Sequence, residues 1–230
     1  MAFQGSVLGT CAMQWIIRVT AVGMLCSGAC AGDWEVQKEF PGVDNDRTIS
    51  RSIERAERAY KDRNFKQARW LYETRLSPVG DKFAQYMIGY MYANGEGTQQ
   101  NPELAAAWFL LAAERGNPDL LAISNEALEA LTPEARGRAR AKAEALRAEH
   151  GDQQLLRRLL REDKDSMRVQ TGSRSERCNQ NSVVRMSSVD QTQESISVEG
   201  YCRFIRARIE KRQTYLDQYT VHGDVEKPAD

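Results

Sequence analysis

The sequence predicts a mostly α-helical chain: a short α-solenoid of helix-pair repeats, followed by a small disulfide-linked α+β unit at the C-terminus. Three observations predict it. Apolar residues recur with a period near 3.6 from about residue 50 to residue 131, as on one face of a helix. Within that stretch, two segments resemble each other at a spacing of 37 to 38 residues, the mark of a helix-pair array. After Ser166 the composition turns to Ser, Thr, Gln and Asn with short β-prone runs, flanked by Cys178 and Cys202. Of the 230 residues, 41% are hydrophobic and 28% charged, enough apolar matter for a core, which excludes a wholly disordered chain. The 32 basic residues balance 32 acidic ones, which argues against a dedicated nucleic-acid binder. Two histidines, His150 and His222, exclude a histidine-rich metal site.

Residues 1–31 read as a signal peptide. Arg18 is their one charge. It precedes an apolar run from Val19 to Leu25 and small residues at Ala29 and Ala31, the −3 and −1 positions of a peptidase site. Cleavage is expected after Ala31. Arg18 splits the apolar run, so neither half reaches the roughly 20 residues of a membrane span. Met13 offers a second start besides Met1. Ala29 and Gly28 before Cys30 allow lipidation there, but Ser27 stands where lipoprotein signals carry Leu. Without residues 1–31 only Cys178 and Cys202 remain of five cysteines. An even pair in an exported chain is most simply a disulfide, and closing a loop of about 25 residues contributes on the order of 3 kcal/mol. A redox pair or a metal site would want CxxC spacing or a nearby histidine, and neither is present.

A polar lead over 32–49 precedes the array at 50–165. Ala84, Met87, Ile88 and Met91 follow i, i+3, i+4, i+7. Asn94-Gly95-Glu96-Gly97 then breaks the helix, because glycine tolerates positive φ. Asn101-Pro102 restarts it with a cap and a proline at the first position. Leu104, Trp108, Leu111 and Ala112 stripe the second helix, and Gly116 ends it. An earlier copy is expected over Tyr60–Tyr72, matching Ala68, Leu71 and Tyr72 to Ala105, Trp108 and Phe109. On this alignment Ala84 matches Ala122, and Arg75 and Leu76 stand where the later copy has Ala112 and Ala113. Thr132-Pro133-Glu134 opens a further helix, which Gly151 ends. Asp152 then caps a short helix whose Leu155, Leu156, Leu159 and Leu160 close the array.

The run from Ala84 to Gly97, with Ala105-Ala-Ala-Trp108-Phe109 and Ala112-Ala113-Glu-Arg-Gly116, resembles a Sel1-like repeat, a relative of the tetratricopeptide repeat. The resemblance covers 84–116 well and its flanks loosely. It implies structural roles for Gly89, Tyr92, Gly95, Gly97, Trp108, Ala112, Ala113 and Gly116: small residues let helices approach while the aromatics fill gaps. It also implies an extended helical adaptor that binds other proteins, often in the bacterial envelope. Most aromatics here are expected in the core. Trp70 and Tyr90 lie off the stripes and are the candidate partner-binding residues.

Over 166–221 a strand-strand-helix unit is expected, with strands near Val183–Met186 and Ser195–Glu199 and a helix from about Arg203, docked on Leu155–Leu160. Residues 222–230 form a frayed tail. No Walker loop, GxSxG elbow, HExxH or dinucleotide fingerprint occurs. The expected function is therefore an exported repeat scaffold mediating protein–protein interaction in the periplasm or envelope. It has no catalytic, cofactor-binding or metal residues, no nucleic-acid partner and no membrane span. The alternative is an envelope protein that binds cell-wall fragments or β-lactams, or a hydrolase. That reading follows from cysteine-rich relatives of the repeat family, whose cysteine pair in every repeat this chain lacks.

Overall fold

The computed structural model describes residues 40–43, 47–171, 183–187 and 193–222. The expected leader over 1–31 with Cys30, the cysteine at 178 and the tail from 223 lie outside the described residues. What is described is mostly helical. Helix α1 (Arg47–Lys61) lays Ile49, Ile53, Ala56 and Ala59 on the core and exposes Arg51, Glu54, Arg55 and Arg58. The segment expected as one stretch from Tyr60 to Tyr72 is interrupted. Asp62–Asn64 form a turn with Arg63 at φ 57°, and the Asn64 side chain caps α2 (Phe65–Leu71) by accepting from the Gln67 amide. Helix α3 (Lys82–Asn94) follows, then α4 (Pro102–Ala112), α5 (Pro118–Glu129), α6 (Pro133–His150) and α7 (Asp152–Thr171). Pro102, Pro118 and Pro133 each follow a side-chain cap, Asn101, Asn117 and Thr132 respectively.

The repeat register differs from the expected one, and the cause is a single extra residue. Between α2 and α3 the chain passes through a π turn, Tyr72–Leu76, in which the Ser77 amide donates to the Tyr72 carbonyl, five residues back. It then makes a 3₁₀ turn, Ser77–Val79, and ends at Gly80 with φ 80°. In the later copy α4 runs into a 3₁₀ turn, Ala113–Arg115, and ends at Gly116 with φ 75°. The caps Asn64 and Asn101 are 37 residues apart, but Gly80 and Gly116 are 36 apart, as are the caps Asp81 and Asn117. A π turn absorbs one inserted residue inside a helix. Past that turn the equivalences move by one. Leu76 and Ser77, both buried, take the places of Ala112 and Ala113, in place of Arg75 and Leu76. Ala84 corresponds to buried Leu120 and not to Ala122, which is exposed.

Helix α4 lies at the centre, packed by α3, α5 and α6. Its expected stripe is too narrow: Ala105, Ala106, Ala107, Trp108, Phe109, Leu111 and Ala112 are all buried, while Leu104 is only partly so. Small alanines on three sides let three helices approach one axis. Gly89 of α3 serves the same contact, since a Cβ there would sit 2.8 Å from the Phe109 ring. Gly97 combines φ 68° with a closer constraint, a Cβ position 2.6 Å from the Phe65 carbonyl carbon, so the loop after α3 rests on the start of α2.

Helix α7 is longer than the short capping helix expected and carries the chain through Ser166 to Thr171. Its leucines 155, 156, 159 and 160 are buried. Beyond it, β1 (Val183–Ser187) pairs antiparallel with β2 (Gln193–Ser197), Val183 opposite Ser197. The last helix, α8, spans Val198–His222, so the strand expected through Glu199 stops at Ser197 and the helix starts five residues before Arg203. Leu216 of α8 packs with Leu156 and Leu160. The polar lead is tied down where it is described: the Phe40 ring meets Tyr215 edge-on at 5.3 Å, and Pro41 is buried.

Candidate functional site

A partly exposed aromatic row runs along α3. Phe83, Tyr86 and Tyr90 stand at i, i+3 and i+7, with ring centroids 6.2 Å and 6.3 Å apart along the row. Tyr86 rests on Phe109 at 5.7 Å and reaches the cluster of Ala112, Ala113 and Leu120, joining α3 to α5. All three row residues keep part of their surface in solvent. At the C-terminal end of the row, the Tyr60 hydroxyl donates to Glu96 Oε2 at 2.8 Å. Burial raises the Tyr86 phenol to about 12 and pushes Tyr90 up as well. Tyr60 rises through burial, then through its hydrogen bond to Glu96. The row therefore presents neutral hydroxyl donors and flat apolar faces at any physiological pH, a chemistry for contact with apolar and hydrogen-bonding groups.

The two candidate partner residues do not form one site. Trp70 is 49% exposed on α2, where the Arg75 guanidinium stacks 5.6 Å from its ring centre. Tyr90 is partly buried in the α3 row, among the cluster that holds Ala93 and Phe109. The repeat residues are placed by packing. Trp108 lies between α1–α3 and the end of α6, its ring 5.6 Å from that of His150. Tyr92 reaches back to α2 and the π turn, where it donates to Glu73 at 3.2 Å and receives Arg69 at 3.4 Å. Gly95, Gly97 and Gly116 all have positive φ.

A buried polar node behind the row escaped the sequence reading. Lys82, 2% exposed, donates to Glu114 Oε2 at 2.8 Å, to Gln85 Oε1 at 3.2 Å and to the Leu111 carbonyl at 3.3 Å. It also pairs with Asp152 at 3.2 Å. Arg115 holds the same carboxylate through two bonds of 2.8 Å and donates to the Gly80 carbonyl at 2.9 Å. Asp152, expected as a helix cap, is the first residue of α7, and its carboxylate is turned to two cations. The node joins both repeat ends to the α6–α7 corner. Arg115 further stacks 3.7 Å from the Phe40 ring centre.

His150 sits at that corner with Nδ1 buried and unpartnered among the described residues. Burial lowers its pKa below the ordinary 6.5, and nearby Glu149 only partly opposes this. A group that binds its proton more weakly when folded costs stability once the unfolded chain protonates. Stability is therefore expected to be full above about pH 7 and to fall as pH drops from 6.5 toward 5, by at most about 1.4 kcal/mol per unit. Burial raises the Asp81 carboxyl, which acts in the opposite direction, while Glu103, hydrogen-bonded by Arg138 and Lys142, is held at about 2. Thermal melts of wild type and His150→Gln across this range check it. The slope should be absent in the variant.

Among the described residues, no group of three His, Cys, Asp or Glu could hold a metal ion, and no helix is long and apolar enough to cross a membrane. Comparison with curated proteins and with solved structures gives no match. A family model, the Sel1 repeat, matches residues 82–117. The matched segment is α3, the glycine loop, α4 and its closing turn through the cap Asn117. Repeats of this family mediate protein–protein interaction. Residues 82–117, with their glycines, aromatics and caps, thus form one Sel1-like repeat.

Proposed function

We propose that this chain is an exported scaffold that binds another protein through the aromatic row of α3, in the bacterial periplasm or envelope. The single observation that carries the binding is that Phe83, Tyr86 and Tyr90 keep solvent-facing surface on a helix whose other residues are mostly buried. Large aromatics on a rigid helix lose little entropy on contact and serve as anchors. Export rests on the order of residues 1–31, with a mature chain starting at Gly32. The Cys178–Cys202 bridge belongs to the same reading. Cys202 is 1% exposed, and the two cysteines stand five residues outside the paired Val183 and Ser197 on either side. The bridge would tie the hairpin to α8 and make the C-terminal segment a small α+β unit. The reading assigns no catalytic residue.

The test is affinity recovery of the tagged full chain from envelope fractions, comparing wild type with Tyr90→Ser. Wild type is expected to arrive as a species starting at Gly32, alkylated at cysteine only after reduction, with one or more partners that the variant loses by about tenfold or more, the scale of an interface hot spot. A full-length cytoplasmic species with free thiols would refute export. Equal recovery by the variant would refute the α3 surface.

A further inference from the structure

The corrected repeat register carries one step more. With Asp81 and Asn117 as equivalent caps, Asp119, Ala122 and Glu126 of α5 occupy the positions that Phe83, Tyr86 and Tyr90 occupy in α3. Tyr86 of the α3 row packs on the cluster of Ala112, Ala113 and Leu120, and Leu120 stands next to Asp119 at the start of α5. Asp119, Ala122 and Glu126 are all exposed. The ionisable residues of α5 are Asp119, Glu126 and Glu129, every one an acid. Among the described residues none of these three carboxylates enters an ion pair. Helix α3 has a single charged residue, Lys82, and that ammonium is buried and neutralised by Glu114 and Asp152. The solvent-facing surface of the pair is thus aromatic on one helix and acidic on the next, with no cation on either. The Glu96 carboxylate closes the far end of the row.

We propose that the segment docking on this surface is basic: a stretch of a partner protein in which lysine or arginine alternates with apolar side chains. The apolar groups lie on the faces of Phe83, Tyr86 and Tyr90, and the cations meet Glu126 and Asp119. Opposite potentials steer and orient such a segment, while an acidic one is repelled. Cations also gain from the electron-rich faces of tyrosines. This identifies the partner's chemistry and rests on the protein-binding reading above.

The experiment uses the full mature chain, isotope-labelled, titrated with acetyl-Lys-Leu-Lys-Trp-Lys-amide and separately with the same peptide carrying Glu for each Lys. The lysine peptide is expected to give saturable, salt-sensitive shifts in the backbone signals of α3 and α5, and the glutamate peptide none. Asp119→Lys/Glu126→Lys, at two exposed positions and with an unchanged melting temperature as the check on folding, should weaken the lysine peptide by about fivefold or more. Equal response to both peptides, no response to either, or a lysine response indifferent to the charge reversal would overturn the inference. The two readings fail separately. If the reversed variant still recovers the Tyr90-dependent partner from envelope fractions, protein binding stands and the basic partner falls. If no partner is recovered while the lysine peptide binds as described, the surface's preference for a basic segment stands and the envelope partner falls.

Discussion

Asp152→Ala is expected to destabilise the chain by about 3–5 kcal/mol, the usual cost of leaving buried charge unpaired. In the intact node two cations, Lys82 and Arg115, face two carboxylates, Glu114 and Asp152, and all four side chains are almost wholly removed from water. Removing Asp152 leaves a net positive charge there. It also frees the Arg115 guanidinium, which could regain water only by pulling away from Gly80 and Phe40. For a chain of this size the loss corresponds to a fall in melting temperature of roughly 10 °C. Asp152→Asn separates charge from shape: it keeps the volume and one acceptor but not the charge. A melt close to that of the alanine variant is expected for it. Near wild-type stability would mean that the node is held by shape and hydrogen bonding alone.

The second large effect is expected at the other buried carboxylate. Asp163 of α7 receives Arg208 and Arg212 of α8. Arg212 also donates to the Pro41 carbonyl at 3.0 Å and to the Gly42 carbonyl at 2.7 Å. One arginine thus clasps the lead segment, α7 and α8 together. Asp163→Ala leaves buried Arg212 without its counter-charge, a loss of about 3 kcal/mol or more. The loss should be mainly local, because α8 packs chiefly on α7 and the two strands. Hydrogen exchange over residues 198–217 should rise by about two orders of magnitude, with α3 and α4 unchanged. An equal rise across α3 and α4 would show instead that the clasp and the array unfold as one unit.

The parts legible in the sequence are those coded locally. Asn101-Pro102 and Thr132-Pro133 mark their helices because a cap and a proline act within one turn. The glycines at 95 and 116 end helices, and Gly97 shapes the loop between them, where positive φ is required. Gly80-Asp81 and Gly116-Asn117 repeat the same punctuation, glycine and then a capping side chain. Aligning on that pair would have set the register at 36 residues and placed the π turn. What the sequence hides is pairing at a distance. Lys82 and Arg115 carry no mark of burial and Asp152 reads as a helix cap, since a buried ion pair leaves no periodic trace when its partners lie on different helices. Phe40 likewise sits in a polar stretch, and only the fold brings Arg115 and Tyr215 to its ring. Tyr90 lies off the stripe, but its value comes from Phe83 and Tyr86 beside it. Trp70 met the same criterion and stands apart from that row.

The most direct measurement is photocrosslinking in intact cells, with a photoreactive amino acid placed at position 90, at position 70, or at Arg157 on the exposed side of α7. Light-dependent adducts with one discrete protein are expected from position 90, in the envelope fraction and at wild-type levels of the scaffold. Position 157 should give none. Adducts absent from position 90, or equally abundant from position 157, would contradict a binding surface on the aromatic row of α3.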